Sequence, residues 1–110
     1  MAPLFLDPGL LRHRAVLEAP TDVSDGAGGA ETAWQALRAL SVHVEPVSVD
    51  AQERFDRREV TITHRIICRA APDIERGQSF RLGQRRLTIR SVHDPDETGR
   101  YLVCRCEEEA

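Results

Sequence analysis

Four histidines (His13, His43, His64, His93) and three cysteines (Cys68, Cys104, Cys106) are the residues that could bind a metal or pair a nucleophile with a base. Structural zinc draws its ligands from closely spaced pairs such as Cys-x-x-Cys. The sequence has no such pair. Cys104-x-Cys106 instead puts two thiols on one face of an extended segment, where they read as small apolar core residues. His64 falls on an apolar face and is expected to be buried, neutral and hydrogen-bonded. Acyl-transfer catalysis needs a base and an orienting group around a nucleophile. No nucleophile elbow, phosphate loop or paired-carboxylate motif occurs. Asp94 and Asp96 flank Pro95 in a pattern of turn chemistry, not of acid–base work. A zinc-dependent enzyme is the weakest reading. The chain is read as a non-enzyme without cofactor or metal.

All 15 basic residues are Arg, and the sequence has neither Lys nor Asn. Arg suits planar, bidentate contacts, but a GC-rich genome produces the same bias. Three groups stand out. Arg12 and Arg14 share one face of the first extended segment. Arg54, Arg57 and Arg58 interleave with Glu53, Asp56 and Glu59. Arg81, Arg85, Arg86 and Arg90 surround a single hairpin. With 18 acidic residues the net charge is −3. Proteins that grip duplex DNA over a wide face carry excess positive charge, so any nucleic-acid contact here is local.

The elements that must position these residues are short and alternating. The 110 residues make one domain, large enough for a core without disulfides. No apolar run approaches a membrane span, and the opening MAPLFLDPGLL lacks the basic region of a secretory signal. The odd cysteine count fits reduced thiols. Residues 1–9 are expected as a flexible tail. A first strand over Leu11–Leu17 and a mobile loop over Pro20–Gly29 follow. Glu31–Val47 reads as one long strand, bent or bulged near Ala36–Leu40, ending before Pro46. Ser48–Arg58 has only Val49 and Phe55 as large apolar residues, too few to pack a helix, and is expected to protrude with at most one helical turn. Glu59–Ala70 is the clearest strand, with Val60, Ile62, His64, Ile66 and Cys68 on one face. Ser79–Leu82, Gly83-Gln84 and Arg86–Arg90 form a hairpin, with a bulge expected at Ser91-Val92. Arg100–Cys106 is the last strand, followed by an acidic tail, Glu107–Glu109. The result is an all-β fold, a small six-stranded barrel or sandwich that buries its apolar face and removes its edges.

The order of several short motifs resembles the phage head–tail joining family, the head-completion or stopper proteins of long-tailed phages and gene transfer agents. Gly9-Leu10-Leu11-Arg12-His13-Arg14 is similar to the family's opening. Asp25-Gly26-Ala27-Gly28-Gly29 resembles its glycine loop before a Trp-containing strand, here Trp34. Val44-Glu45-Pro46, Thr63-His64-Arg65 and the run from Ile89 to Glu97 follow in the family's order, and Cys106-Glu107-Glu108 ends it. Ala15 departs from the bulkier residue expected in the first strand. The resemblance covers roughly Gly9–Glu109.

This resemblance implies a structural virion protein, assembled in the bacterial cytoplasm and resident in a phage or gene transfer agent particle. Copies would form a ring, hexameric in the family. The ring would sit between adaptor and portal proteins on the head side and a tail terminator on the other, close the channel holding double-stranded DNA, and dock the tail. It involves no membrane. The family's channel-facing loop maps to Val47, Ser48, Val49, Asp50, Glu53, Arg54, Phe55, Arg57 and Arg58. Arg12, Arg14, Arg81, Arg85 and Arg86 are the candidate subunit or partner contacts. The alternative is a small barrel that binds nucleic acid through the face around Arg81–Arg90.

Overall fold

Apolar residues spaced two apart put one face of every strand into a common interior. The computed structural model describes residues 7–24, 26, 29–47 and 61–109. Six strands form there: β1 His13–Ser24, β2 Ala30–Pro46, β3 His64–Arg69, β4 Ser79–Leu82, β5 Arg85–His93 and β6 Tyr101–Glu108. They close into a barrel in the order β1-β2-β3-β6-β5-β4, with every neighbouring pair antiparallel. Closure leaves no free edge within the barrel itself. Inward residues come in alternating pairs: Leu40 and Val42, Ile66 and Cys68, Leu87 and Ile89, Cys104 and Cys106, around a fully buried Phe80. Ala15 faces Leu40 across the β1–β2 ladder and is itself fully buried.

A second, smaller cluster lies outside the barrel wall. Ile67, Tyr101 and Val103 are buried there with Leu11 packed on them. Alternation alone assigns Ile67 to the polar face of β3. The segment entering β1 covers that face and makes it apolar.

Several element bounds differ from the sequence reading. The expected loop over Pro20–Gly29 is strand in its first half, since β1 continues to Ser24, and β2 begins directly after it at Ala30. That part of the β1–β2 pair has no core beneath it, so no apolar period announces it. The expected irregularity in β2 is a bulge: Leu17 faces Arg38 while Glu18 faces Ala36, leaving Leu37 extra and 45% exposed. Pro46 belongs to β2, opposite His64. β3 starts only at His64. The β5 bulge falls at Arg90, one residue before the expected place, because Ile89 faces Cys106 and Ser91 faces Arg105. Glu107 and Glu108 are not a tail but the end of β6. Asp7 caps a 3-10 turn, Pro8–Leu10, where the tail was expected to continue. The expected helical turn within Ser48–Arg58 lies outside the described residues.

Gly83, at φ 63°, sits in the two-residue turn between β4 and β5. A left-handed position in so tight a hairpin favours glycine. The Asp94–Gly99 turn is held by its own carboxylates. Asp94 accepts from the Gly99 amide at 2.7 Å, and Asp96 accepts from the Thr98 hydroxyl at 2.7 Å.

Candidate assembly surfaces

Strand direction sorts the connections onto two ends of the barrel. One end receives the segment leading into β1, the β2–β3 connection, the β4–β5 turn and the end of β6. The other carries the β1–β2 hairpin and the connections β3–β4 and β5–β6.

At the first end the β2–β3 connection is closed at its base by backbone pairing. Val47 donates to the Thr63 carbonyl at 2.9 Å, and Thr63 donates to the Cys106 carbonyl at 2.9 Å. The Thr63 hydroxyl accepts from the Glu108 amide at 2.8 Å. Around this base stand two ionic groups. Arg65 pairs with Glu45, which also contacts His43 at 3.1 Å. Arg85 donates to Glu108 at 2.7 Å, and His64 lies 3.9 Å from the same carboxylate. Partial burial lowers the basicity of His64 and the neighbouring Arg85 lowers it further, against the opposing pull of Glu108. His64 Nδ1 is 2.9 Å from the Thr63 hydroxyl. The imidazole is half-buried, not fully buried as the sequence suggests, and its partial burial disfavours the charged form. Of the candidate channel residues only Val47 is described; Ser48, Val49, Asp50, Glu53, Arg54, Phe55, Arg57 and Arg58 lie outside the described residues.

At the other end the β1–β2 hairpin outruns the barrel. β4 pairs with β1 only over Val16–Glu18, and β3 pairs with β2 only over Val42–Pro46. Beyond these, Ala19–Ser24 and Ala30–Gln35 have only each other as strand partners. They form a two-stranded arm.

Glu18 anchors the arm's base. Its carboxylate accepts from Arg81 at 3.3 Å, from Arg86 at 3.0 Å and from the Ser79 hydroxyl at 3.4 Å. Arg86 also lies over the Trp34 ring, 5.1 Å from its centroid, a cation–π contact that ties β2 of the arm to β5. Arg81 and Arg86 are thus committed within the subunit, and so is Arg85 through Glu108. Arg12 donates to the Gly9 carbonyl and Arg14 to the Ser41 hydroxyl, each at 3.1 Å, and both are exposed.

Sequence reasoning missed Glu18, Trp34, Arg38 and Arg69 as site residues. Glu18 follows Leu17 and so lies on the face opposite the inward Ala15 and Leu17, where no apolar period marks a buried ion pair. Arg38 and Arg69 lie in a cleft of about 360 Å³ where β3 parts from β2, lined also by Arg14, Leu40, Ser41 and Ala71. Arg38 reaches across it to Asp73 in a bidentate pair at 2.7 and 2.9 Å. Hydrogen bonding to Arg38 lowers the Asp73 carboxyl below its ordinary range.

The thiols belong to the core. Cys68, Cys104 and Cys106 are free and buried. The hydrogen bond that Cys104 donates to Cys68, together with burial, raises the Cys104 thiol, and burial raises Cys106, so both remain protonated and poor nucleophiles. Among the described residues no group of three or more His, Cys, Asp or Glu side chains is arranged to hold a metal.

The family model described as "Phage head completion protein" matches residues 6–109. A chain from the solved structure of the virion of a native gene transfer agent particle is 30% identical. The match covers 89% of this chain and 94% of that one, with a TM-score of 0.60. The solution structure of protein SF1141 from Shigella flexneri 2a shares the fold at a TM-score of 0.70 and 24% identity, over 96% of this chain and 98% of that one. Among curated proteins none matches.

Proposed function

The chain belongs to the phage head completion protein family, and from that premise we propose that it is a connector protein of a phage or gene transfer agent particle. Copies of it close into a ring between the portal and adaptor on one side and the tail terminator on the other. The ring closes the DNA exit channel after packaging and presents a docking surface to the tail. The observation that carries this reading is the match to a virion chain along nearly the whole length of both proteins.

The fold supports it in two ways. A barrel without internal free edges is a rigid subunit, and a ring needs rigid subunits with two different contact patches. The β2–β3 connection is stitched to β6 at its base, so residues 48–60 can vary without unsettling the barrel. The alternative of a nucleic-acid-binding module fits less well. Such modules stack bases on exposed aromatic rings. Among the described aromatic residues, Phe80 is fully buried, Tyr101 is 8% exposed and Trp34 carries Arg86 over its ring; Phe5 and Phe55 lie outside the described residues. The Arg81–Arg86 face is neutralised by Glu18, Glu108 and Glu109.

Deleting residues 49–57 tests the closing role. The expected result is a folded protein that joins the connector but leaves particles that package DNA and then lose it. Particles that keep their DNA would refute that role for the segment. Particles lacking the whole chain should neither hold DNA nor bind tails.

A further inference from the structure

Between Arg14 and Arg38 the chain carries Glu18, Asp22, Asp25 and Glu31 and no basic residue. This acidic stretch is the arm. Glu18 is consumed at its base, but Asp22 and Glu31 are exposed farther out, and neither has a cationic partner among the described residues. Thr32 faces Asp22 and Val23 faces Glu31 across the arm. Opposed residues share a face and successive ones alternate, so the two carboxylates project from opposite faces of the ribbon.

The cleft beside the arm's root has the opposite character. Arg69 is exposed and has no carboxylate partner among the described residues, and Arg14 touches only Ser41. Arg38 completes the set with one carboxylate already bound. Arginines flank this opening on both faces. Ser41 faces Arg14 on the outer face, and Arg69 faces Tyr101 of the outer cluster. Arg38 lies opposite the buried Leu17.

The arm cannot serve its own cleft. Glu31 and Arg38 are seven residues apart on one continuous strand, which is about 23 Å at ~3.3 Å per residue. Among the described residues, an arm whose Asp22 and Glu31 lack a cationic partner and a basic cleft whose Arg69 lacks a carboxylate partner are two different, complementary patches on one body. Repeated from copy to copy, such a contact is heterologous and generates a ring when the rotation closes. We propose that the arm of one copy seats in the Arg14–Arg38–Arg69 cleft of the next, with Asp22 and Glu31 as the carboxylates that meet it. This rests on the ring reading and names its subunit contact. Duplex DNA is the weaker occupant. A chain of charge −3 is poorly suited to collecting phosphates.

The test uses two full-length double variants, D22R/E31R and R14E/R69E, with native mass spectrometry and sedimentation. Each variant alone places like charges on both patches and should weaken self-association by about tenfold or more. Mixed in equal amounts, they should reassemble with the two variants alternating, because every arm then meets a cleft of opposite charge. Rescue on mixing also shows that both variants are folded; D22N/E31Q supplies a milder neutral arm that should weaken association by less. Variants that associate as the wild type does would overturn the contact and leave the ring standing. A wild-type chain that stays monomeric at every concentration would overturn both. If R14E/R69E instead keeps its self-association and loses salt-dependent binding to a DNA duplex, the cleft is a phosphate site and the proposal is wrong.

Discussion

The arm is fixed to the barrel by Glu18, whose side chain is 7% exposed, whereas the base of the β2–β3 connection is ringed by Glu45 and Glu108, at 33% and 29%. Both ends use Arg–carboxylate pairs, but in different surroundings. At the arm, one carboxylate serves two guanidiniums and a hydroxyl away from water, and Arg86 adds the indole of Trp34. At the other end each pair lies in reach of solvent, and the fixed elements are the backbone bonds through Val47, Thr63 and Cys106. Removing a partner from a desolvated group strands the others, while a wetted pair re-solvates at little cost. The arm is therefore held in one direction by its side chains, as a contact surface requires. At the β2–β3 connection the described fastening is backbone pairing at its root, through Val47 and Thr63.

The sharpest break of this comparison is Glu18→Ala. It leaves Arg81 without a carboxylate partner and Arg86 with only Glu109 at 3.9 Å, and should cost about 2–3 kcal/mol of stability. Chemical denaturation measures the loss. Hydrogen exchange should rise in Ala19–Ser24 more than in β3 or β6. A uniform rise would show that Glu18 supports the barrel and not the arm in particular.

Arg85→Ala is the matching change at the other end, and the expected loss is smaller, about 0.5–1 kcal/mol. Arg85 is 50% exposed, and Glu108 without it can turn to water. High salt should erase most of the difference between Arg85→Ala and the wild type. A loss as large as that of Glu18→Ala would mean the two ends are built alike.

What the sequence made legible follows the same divide. Where strands bury one face, the period of two was readable, and β4, β5 and β6 fell close to their expected places, while β3 kept its end but starts only at His64. The arm escaped because Thr21, Asp22, Thr32 and Ala33 pair with no core cluster beneath them, and its glycines and aspartates look like an ordinary loop. Glu107 and Glu108 looked like a tail because their partners, Arg90 and Arg85, lie 17 and 23 residues away. Ion pairs across a barrel follow register, and register is set by closure, which no local pattern announces. The cleft was invisible for the same reason: Arg14, Arg38 and Arg69 meet only because β3 leaves β2 after Cys68. The motifs that carried the family resemblance, Thr63-His64-Arg65 and Val44-Glu45-Pro46 among them, turn out to build the base of the β2–β3 connection.

The smallest effect separates the two ends by pH. The folded His64 sits below the ordinary imidazole value of 6.5, because burial and Arg85 both oppose its charge. His93 is lowered likewise, by burial first and then by Arg105 and Arg65. A histidine whose pKa is depressed by folding binds its proton more readily when unfolded. It contributes nothing above the unfolded pKa, and stability falls as pH drops through 6.5 and below. The paired carboxylates act lower down. Glu108 is depressed chiefly by its hydrogen bond to Arg85; Glu45 is depressed by Arg65 and His43 even though burial pushes it the other way. Their contribution is intact above the ordinary carboxylate value of 4.5 and is lost as pH falls through their lower folded values. Acid should therefore destabilise the protein in two steps, one below pH 6.5 and one below pH 4.5. His64→Gln should flatten the first step in part, with His93 supplying the remainder, and leave the second unchanged. Stability curves at pH 7, 5.5 and 4 measure this. If His64→Gln left the upper step untouched, His64 would already be as easily protonated as an imidazole in water, and the end around Glu108 would be wetter than its geometry implies.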